Sequence, residues 1–202
     1  NFYNEQGMLT EQISYLNGKK SGFTIRYQSL LFNDSLVSAV RLKELFLNDK
    51  REGQGYYYDD NGALEKIIRY KAGKKHGLTR FFDSDSLISA LYKYHNDFMI
   101  DREFVNRVDK NGLKQGLWKV LYDNDNIAVE ENYKNDLLHG YYREYSDRGE
   151  LLITRLYENG ELVQREEPED IQIDFRNEFG DNGEIVASGG FRDNKPVGTH
   201  RK

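Results

Sequence analysis

One spacing recurs along this chain and constrains its fold more than any other feature. An aromatic residue is followed seven positions later by Gly, and five positions after that by a second aromatic residue. The complete copies are Tyr15, Gly22 and Tyr27; Phe46, Gly53 and Tyr58; Tyr70, Gly77 and Phe82; and Tyr133, Gly140 and Tyr145. Leading aromatic residues lie 24 positions apart from Phe46 to Tyr70 and from Tyr133 to Tyr157. The chain is therefore a tandem repeat, and arrays of such short units fold as stacks of neighbours.

Other parts of the chain fit this frame incompletely. Gly116 lacks a leading aromatic residue, Phe191 and Gly198 lack the second one, and Tyr157 is followed by Gln164 where Gly is expected. Longer steps between units predict irregular inserts near residues 30–45, 95–112 and 164–190. We predict one repeat array over residues 1–202 and, because both termini fall inside a unit, a segment of a longer array.

A second recurring segment, about four residues after the second aromatic residue, has the composition of a turn. It is rich in Asp, Asn and Gly, which tolerate positive φ and form Asx turns. The copies are residues 5–7, 60–62, 147–149 and 181–183, and residues 83–86 and 123–126 fill the same slot without Gly. Runs such as Leu64–Tyr70 and Leu151–Tyr157 have strand length and composition. Each unit is therefore predicted to be a β-hairpin followed by a Lys/Gly loop, and the fold class is all-β.

The repeat predicts structural roles for its aromatic and glycine positions. A lone hairpin is marginal in water, so each unit must bury one face against its neighbours. The recurring aromatic residues are expected to form ladders through cross-strand pairs. The glycines at 22, 53, 77, 116, 140 and 198 are expected to mark a positive φ, or a place where a ring packs on bare backbone.

Three segments carry the pattern of a known family: Tyr70–Gly77, Gly112–Lys119 with Trp118, and Tyr133–Tyr145. They resemble the bacterial variant of the MORN repeat. The resemblance implies an elongated, twisted antiparallel sheet of successive β-hairpins, either open and single-layered or curled into a groove. It also implies a scaffold, lipid-associated or protein-binding role, and some bacterial members carry antitoxin names.

Composition and charge exclude several classes of protein. The chain has no Cys, which removes disulfides, thiolate zinc sites and cysteine catalysis. Its formal net charge is −5, whereas nucleic-acid binders and proteins of anionic lipid surfaces usually carry a basic excess. We therefore expect no nucleic-acid partner and do not favour membrane contact. The compartment stays open, including export or surface anchoring through a segment ahead of Asn1.

Each candidate for chemistry has a simpler structural explanation. His76 and His139 hold one slot before the repeat glycine, where other units have Ser21, Glu52 and Gln115. A catalytic or metal-binding residue is not expected at so tolerant a position. The Asp-rich residues 83–86 and 123–126 lack the Gly and Glu that complete a calcium loop, so plain turns are expected. We predict no catalytic, cofactor-binding or metal-binding residue and no enzymatic activity.

Lysines recur in the loop between units. Stacking would align them on one edge, as a basic edge for an anionic lipid or polymer or as a guard against aggregation. They are Lys19, Lys20, Lys74, Lys75, Lys114 and Lys195.

The sequence therefore predicts a non-enzymatic scaffold or protein–protein interaction module, because a Tyr-rich sheet face suits a protein or peptide partner. A module that binds a surface ligand, either a glycan or an anionic lipid, is the alternative. Antitoxin-like binding of a neighbouring protein is a special case of the first. Gly55–Gly62 also resembles choline-binding hairpin repeats, but those need several Trp and this chain has one, Trp118.

Overall fold

The computed structural model describes the backbone of residues 1–163, 174–179, 185–192 and 195–201, and the side chains of residues 1–163. The chain divides into two units, Asn1–Leu162 and Val163–Lys202. The strands of the first unit are β1 (Phe2–Tyr3), β2 (Leu9–Leu16), β3 (Lys19–Phe32), β4 (Ser35–Leu47), β5 (Lys50–Arg51), β6 (Gly53–Tyr58), β7 (Leu64–Lys71), β8 (Lys74–Phe82), β9 (Ile88–His95), β10 (Phe98–Phe104), β11 (Arg107–Val108), β12 (Lys114–Leu121), β13 (Ile127–Lys134), β14 (Leu137–Leu138), β15 (Gly140–Tyr145), β16 (Leu151–Glu158) and β17 (Glu161–Leu162). Those of the second unit are β18 (Asp174–Phe179), β19 (Ile185–Arg192) and β20 (Lys195–Arg201).

Within each sheet the strands pair in chain order, every pair is antiparallel, and the short β5 and β14 pair only with β4 and β13 while β6 and β15 continue the sheet. β1 to β10 form an open ten-stranded sheet, β11 to β17 a seven-stranded sheet, and β18 to β20 a three-stranded sheet. The predicted all-β stack of hairpins is confirmed. The hairpins of the described residues are distributed over these three sheets. No helix in the described part of the chain is long and apolar enough to cross a membrane.

The ten-stranded sheet ends near Asn106, which interrupts the backbone ladder. Its backbone has a φ of +54°. Its side-chain oxygen accepts the N–H of Lys119 at 2.7 Å, and its side-chain nitrogen donates to the Lys119 carbonyl at 3.1 Å. A side-chain amide thus takes the place of a strand partner, and the two sheets separate between β10 and β11. No periodic signal in the sequence indicates this substitution.

Two kinds of turn alternate along the stack. The segments predicted as Lys/Gly loops begin with two-residue turns in which both residues have positive φ, the signature of the type I′ turn that matches strand twist. These turns are Asn17–Gly18, Asn33–Asp34, Asn48–Asp49, Ala72–Gly73, Asn96–Asp97, Asn135–Asp136 and Asn159–Gly160. They are tight hairpins rather than loops, which explains the frequent Asn at their first position.

The other turns are the predicted Asx turns. In the one that joins β6 and β7, the Asp59 carboxylate accepts the N–H groups of Asn61 and Ala63 at 2.9 and 2.8 Å. Gly62 has a φ of +83°. The turn at Asp109 has the same bonds, and they hold the pKa of the Asp109 carboxyl below its ordinary value. These bonds satisfy backbone donors that the hairpin leaves unpaired.

Gly22 and Gly77 lie in bulges where the register of the strand pair shifts. Each of the five described glycines of the column has a positive φ and pairs across the sheet with the leading aromatic residue of the following unit. The pairs are Gly22 with Phe46, Gly53 with Tyr70, Gly77 with Tyr94, Gly116 with Tyr133 and Gly140 with Tyr157. Each glycine of the column therefore pairs its own unit with the next one. Phe191 and Gly198 lie outside the residues whose side chains are described.

The predicted inserts are more regular than expected. Residues 30–45 belong to the long hairpin of β3 and β4, in which Leu30 pairs with Val37 and Leu31 with Leu36. Residues 95–112 contain β10 and β11. The predicted insert near 164–190 falls mostly outside the described residues. In each of the first two cases strand pairing continues because the inserted residues keep strand composition.

The buried apolar core lies in the middle of the first unit. Ile67 and Ile68 are adjacent on β7 and both are buried, so both faces of the sheet are covered there. Tyr70, Ala90 and Leu91 extend this core onto β7 and β9. The buried apolar side chains of this region therefore lie mainly on β7 and β9.

Candidate interaction surface

A cation stands over the leading aromatic ring of the next unit at four equivalent positions. The cations occupy the second residue after each turn between units, or its equivalent in β12. They are Lys20 over Phe46 at 5.5 Å, Arg51 over Tyr70 at 5.3 Å, Lys75 over Tyr94 at 5.1 Å and Lys114 over Tyr133 at 4.6 Å. Cation–π contacts at such distances stabilise by about 0.5–1 kcal/mol at exposed sites. Each of these four aromatic residues therefore contacts a cation through its ring and pairs through its backbone with a repeat glycine.

These contacts divide the predicted basic edge into two groups. Lys20, Lys75 and Lys114 are half-buried against rings. Lys19 and Lys74 are exposed at the turns. The side chain of Lys195 lies outside the described residues. Half of the predicted edge thus has a structural role, which the sequence pattern did not distinguish from a free stripe.

The recurring aromatic residues are less exposed than a Tyr-rich binding face requires. Tyr15 is exposed, whereas Tyr70 is buried. The remaining members of the two columns among the described residues are half-buried: Tyr27, Phe46, Tyr58, Phe82, Tyr133, Tyr145 and Tyr157. Trp118 and Tyr133 meet edge to face at 5.8 Å. The expected ladder therefore holds neighbouring units together and presents little free ring surface.

In four of the five described units, the residue before the repeat glycine links its unit to the next turn, and His76 is the exception. The side chain of Glu52 accepts the N–H of Ala72 at 2.8 Å, and that of Ser21 accepts the N–H of Asn48 at 3.2 Å. His139 stands in the same slot and its Nδ1 accepts the N–H of Asn159 at 3.4 Å. The slot tolerates Ser, Glu, Gln and His because each offers a hydrogen-bond acceptor. Sequence reasoning treated it as loop filler and missed this link.

A buried polar cluster joins β4 to β7. Glu44 is 5% exposed and pairs with the Arg51 guanidinium at 2.6 Å. The Tyr57 hydroxyl donates to Glu44 and lies 2.7 Å from the Tyr70 hydroxyl. Burial, followed by the bond to Glu44, raises the pKa of Tyr57 above its ordinary value, and burial raises that of Tyr70. The cluster satisfies a buried carboxylate and therefore holds two units in register.

Alkaline titration tests the tyrosine environments of the second sheet. Burial and the nearby Glu131 raise the pKa of Tyr133 to about 12, and the bond to Glu144 raises that of Tyr142 to about 12. Their ordinary value is 10.0, so the folded state keeps protons that the unfolded state loses. The contribution is complete below pH 10 and is lost as the pH rises toward 12. Urea unfolding should show that fall, and the double variant Tyr133→Phe, Tyr142→Phe should show a smaller one; equal falls would contradict these environments.

The Asp-rich turn at residues 123–126 binds arginines. Asp125 occupies the slot that Gly62 fills in another unit, with a φ of +72°. Its carboxylate pairs with Arg69 at 2.6 Å and with Arg80 at 3.0 Å, although both arginines belong to the ten-stranded sheet. In the part of the chain whose side chains are described, no group of three or more His, Asp or Glu residues is placed to hold a metal ion. The turn is a clamp between the two sheets.

One apolar extension of the sheet is the ribbon, defined as residues 28–39 of β3 and β4. It stands where residues 59–63 form an Asx turn in the next unit. β2 pairs with β3 only as far as Arg26, and β6 pairs with β4 only at Leu42 and Lys43. Leu31 and Phe32 are 70% and 65% exposed. The ribbon is thus a two-stranded arm with an apolar end.

Two segments of the chain, residues 51–72 and 114–135, match the sequence model of the MORN repeat variant. These two segments carry the MORN repeat pattern. Each matched MORN repeat begins at a cation over a ring, Arg51 or Lys114, and ends in the first residue of a type I′ turn, Ala72 or Asn135. Residues 75–96 have the same boundaries, with Lys75 over Tyr94 and a turn at Asn96, whereas residues 138–159 share only the end, at Asn159. No curated protein matches the chain.

Proposed function

We propose that this chain is a non-enzymatic protein-binding scaffold whose MORN repeats present the ribbon to a partner protein. The observation that carries the proposal is the exposure of large apolar side chains at the end of the ribbon. Soluble proteins seldom expose contiguous apolar surface without a binding role. A two-stranded arm is also marginal in water by itself, so a partner that covers it stabilises it.

The occupant we propose is an apolar groove on another protein. Leu30 and Leu31 are adjacent on one strand and pair with Val37 and Leu36, so both faces of the ribbon are apolar. The ribbon carries one charged residue, Asp34. An anionic lipid or polymer would need cations there, whereas a groove on a protein needs shape and apolar area.

The alternative of a glycan or anionic-lipid module has less support. Glycan binding through the aromatic columns needs free ring faces, and most of those rings are half-buried beside cations. Lipid binding through the basic edge has fewer free cations than the sequence suggested, because the ammonium groups of Lys20, Lys75 and Lys114 lie over aromatic rings. An antitoxin-like role is the special case in which the groove belongs to a toxic neighbour.

A photo-crosslinking residue at position 32 tests the proposal. We expect it to capture one stoichiometric protein from an extract of the source organism, and the double variant Leu31→Ser, Phe32→Ser to lose that capture. The matched control is Leu152→Ser, because Leu152 is similarly exposed on β16. Capture that survives the ribbon variant, or equal loss with Leu152→Ser, would sink the proposal. If the crosslinked protein is a second copy of this chain, the ribbon mediates self-association, and the proposal of a different partner protein is wrong.

A further inference from the structure

A cavity of about 290 Å³ opens on the ten-stranded sheet beside the turn Asn48–Asp49. Its charged lining residues are Lys20, Arg26, Lys50, Arg51, Glu44 and Asp49. Four cations therefore face two carboxylates. The volume is at the small end of ligand pockets, which suits a ligand of a few non-hydrogen atoms.

Both arginines of the cavity are held through one nitrogen. The Nε of Arg26 lies 2.8 Å from Glu11, and the Nε of Arg51 lies 2.6 Å from the buried Glu44. Arg51 is fixed further by the rings of Phe46 and Tyr70. A guanidinium has five N–H donors in a rigid fork. Anchoring through Nε orients each fork and leaves its terminal amino groups for a further acceptor.

The two lysines add charge that no described carboxylate neutralises at ion-pair distance. Asp49, the nearest acid in sequence to Lys50, uses Oδ1 to accept the backbone N–H of Lys20 at 2.8 Å. Lys20 places its ammonium group over Phe46, and Lys50 is exposed at the rim. The cavity is therefore a local site of positive charge on a chain whose formal net charge is −5.

We infer that this cavity binds a tetrahedral oxyanion of the phosphate class. Two oriented guanidinium forks and the exposed Lys50 supply charge-assisted donors to several oxygens of one ion, which is the geometry that favours phosphate over a halide, while Lys20 adds positive charge from its place over Phe46. The site is separate from the ribbon, since the ribbon consists of residues 28–39 and none of the lining residues belongs to it. Failure of one proposal leaves the other standing.

Titration of inorganic phosphate into the full chain at constant ionic strength tests the inference. We expect saturable amide shifts in the NMR spectrum at Lys50 and Arg51, and about fivefold weaker binding in Lys50→Ala, from loss of one charge contact. The matched control is Lys74→Ala, because Lys74 holds the same slot in the next unit and does not line the cavity. Absence of saturation, or equal weakening by both variants, would overturn the site.

A second experiment distinguishes a soluble phosphate ligand from a lipid headgroup. Vesicles of phosphatidylcholine with phosphatidic acid present the same chemistry on a lipid. Binding of free phosphate that is not competed by these vesicles indicates a soluble ligand. Competition that depends on Lys50 and not on Lys74 indicates a headgroup. Either result supports the oxyanion site, and vesicle binding that ignores Lys50 counts against it.

Discussion

Gly77→Ala is expected to lower the free energy of unfolding by about 3 kcal/mol, through backbone strain and overpacking together. The φ of Gly77 is +97°, outside the region that an L-residue occupies without strain. A Cβ there would lie 2.9 Å from Cδ of Arg69. Arg69 cannot move freely, because its guanidinium pairs with Asp125.

A glycine in the same slot of another unit supplies the matched control. Gly116 has a φ of +67°, and a Cβ there would meet its nearest neighbour, an Arg107 nitrogen, at 4.0 Å. Gly116→Ala should therefore cost only the left-handed backbone term, about 1 kcal/mol. Urea unfolding of both variants measures the difference. Equal losses would show that the close approach to Arg69 adds nothing, and no loss in either would refute the role of the glycine column.

The periodic part of this fold could be predicted from the sequence because it rests on local chemistry repeated many times. The Asx turn at Asp59 and the glycine at position 77 each require a residue type that few others replace. Because these residue types recur at fixed intervals, the sequence alone indicates the positions of the turns and of the glycine column. Four of the seven type I′ turns are Asn–Asp pairs, which lack the glycine that usually marks such a turn, so the sequence pattern indicated loops there.

The features that break the periodicity could not be predicted in the same way. Asn106 ends a sheet by bonding to Lys119, thirteen residues away in sequence, through a side chain that any loop could contain. Asp125 looks like one more turn residue until the arginines of the other sheet are placed beside it. Both roles depend on contacts between units that a repeat pattern does not encode.

The candidate surfaces could not be predicted from the repeat pattern either. The sequence placed the Tyr columns on a free face, but Lys20 and its equivalents cover part of the rings from the next unit. The ribbon was expected as an irregular insert because a longer step between aromatic residues says nothing about pairing inside it. Its paired strands and its exposed Leu31 and Phe32 emerge only from the register of β3 and β4.

Asp125→Asn is expected to destabilise the first unit by about 2 kcal/mol, because two arginines lose their shared counter-charge. Asp125 and Arg80 are each 12% exposed, while Arg69 is more open to solvent, which limits the loss. Asn tolerates the positive φ of this position, so the substitution removes charge without straining the turn. Urea unfolding at low and high salt measures the effect.

The exposed turn residue Asp85 provides the control, since it precedes the equivalent slot in the preceding unit and its side chain makes no ion pair with a described residue. Asp85→Asn should change the unfolding free energy by less than about 0.5 kcal/mol. A double-mutant cycle of Asp125→Asn with Gly77→Ala adds a sharper requirement. Freed from Asp125, Arg69 can yield to the new Cβ, so the two losses should sum to more than the loss in the double variant. Strict additivity would show that Asp125 does not hold Arg69 against β8.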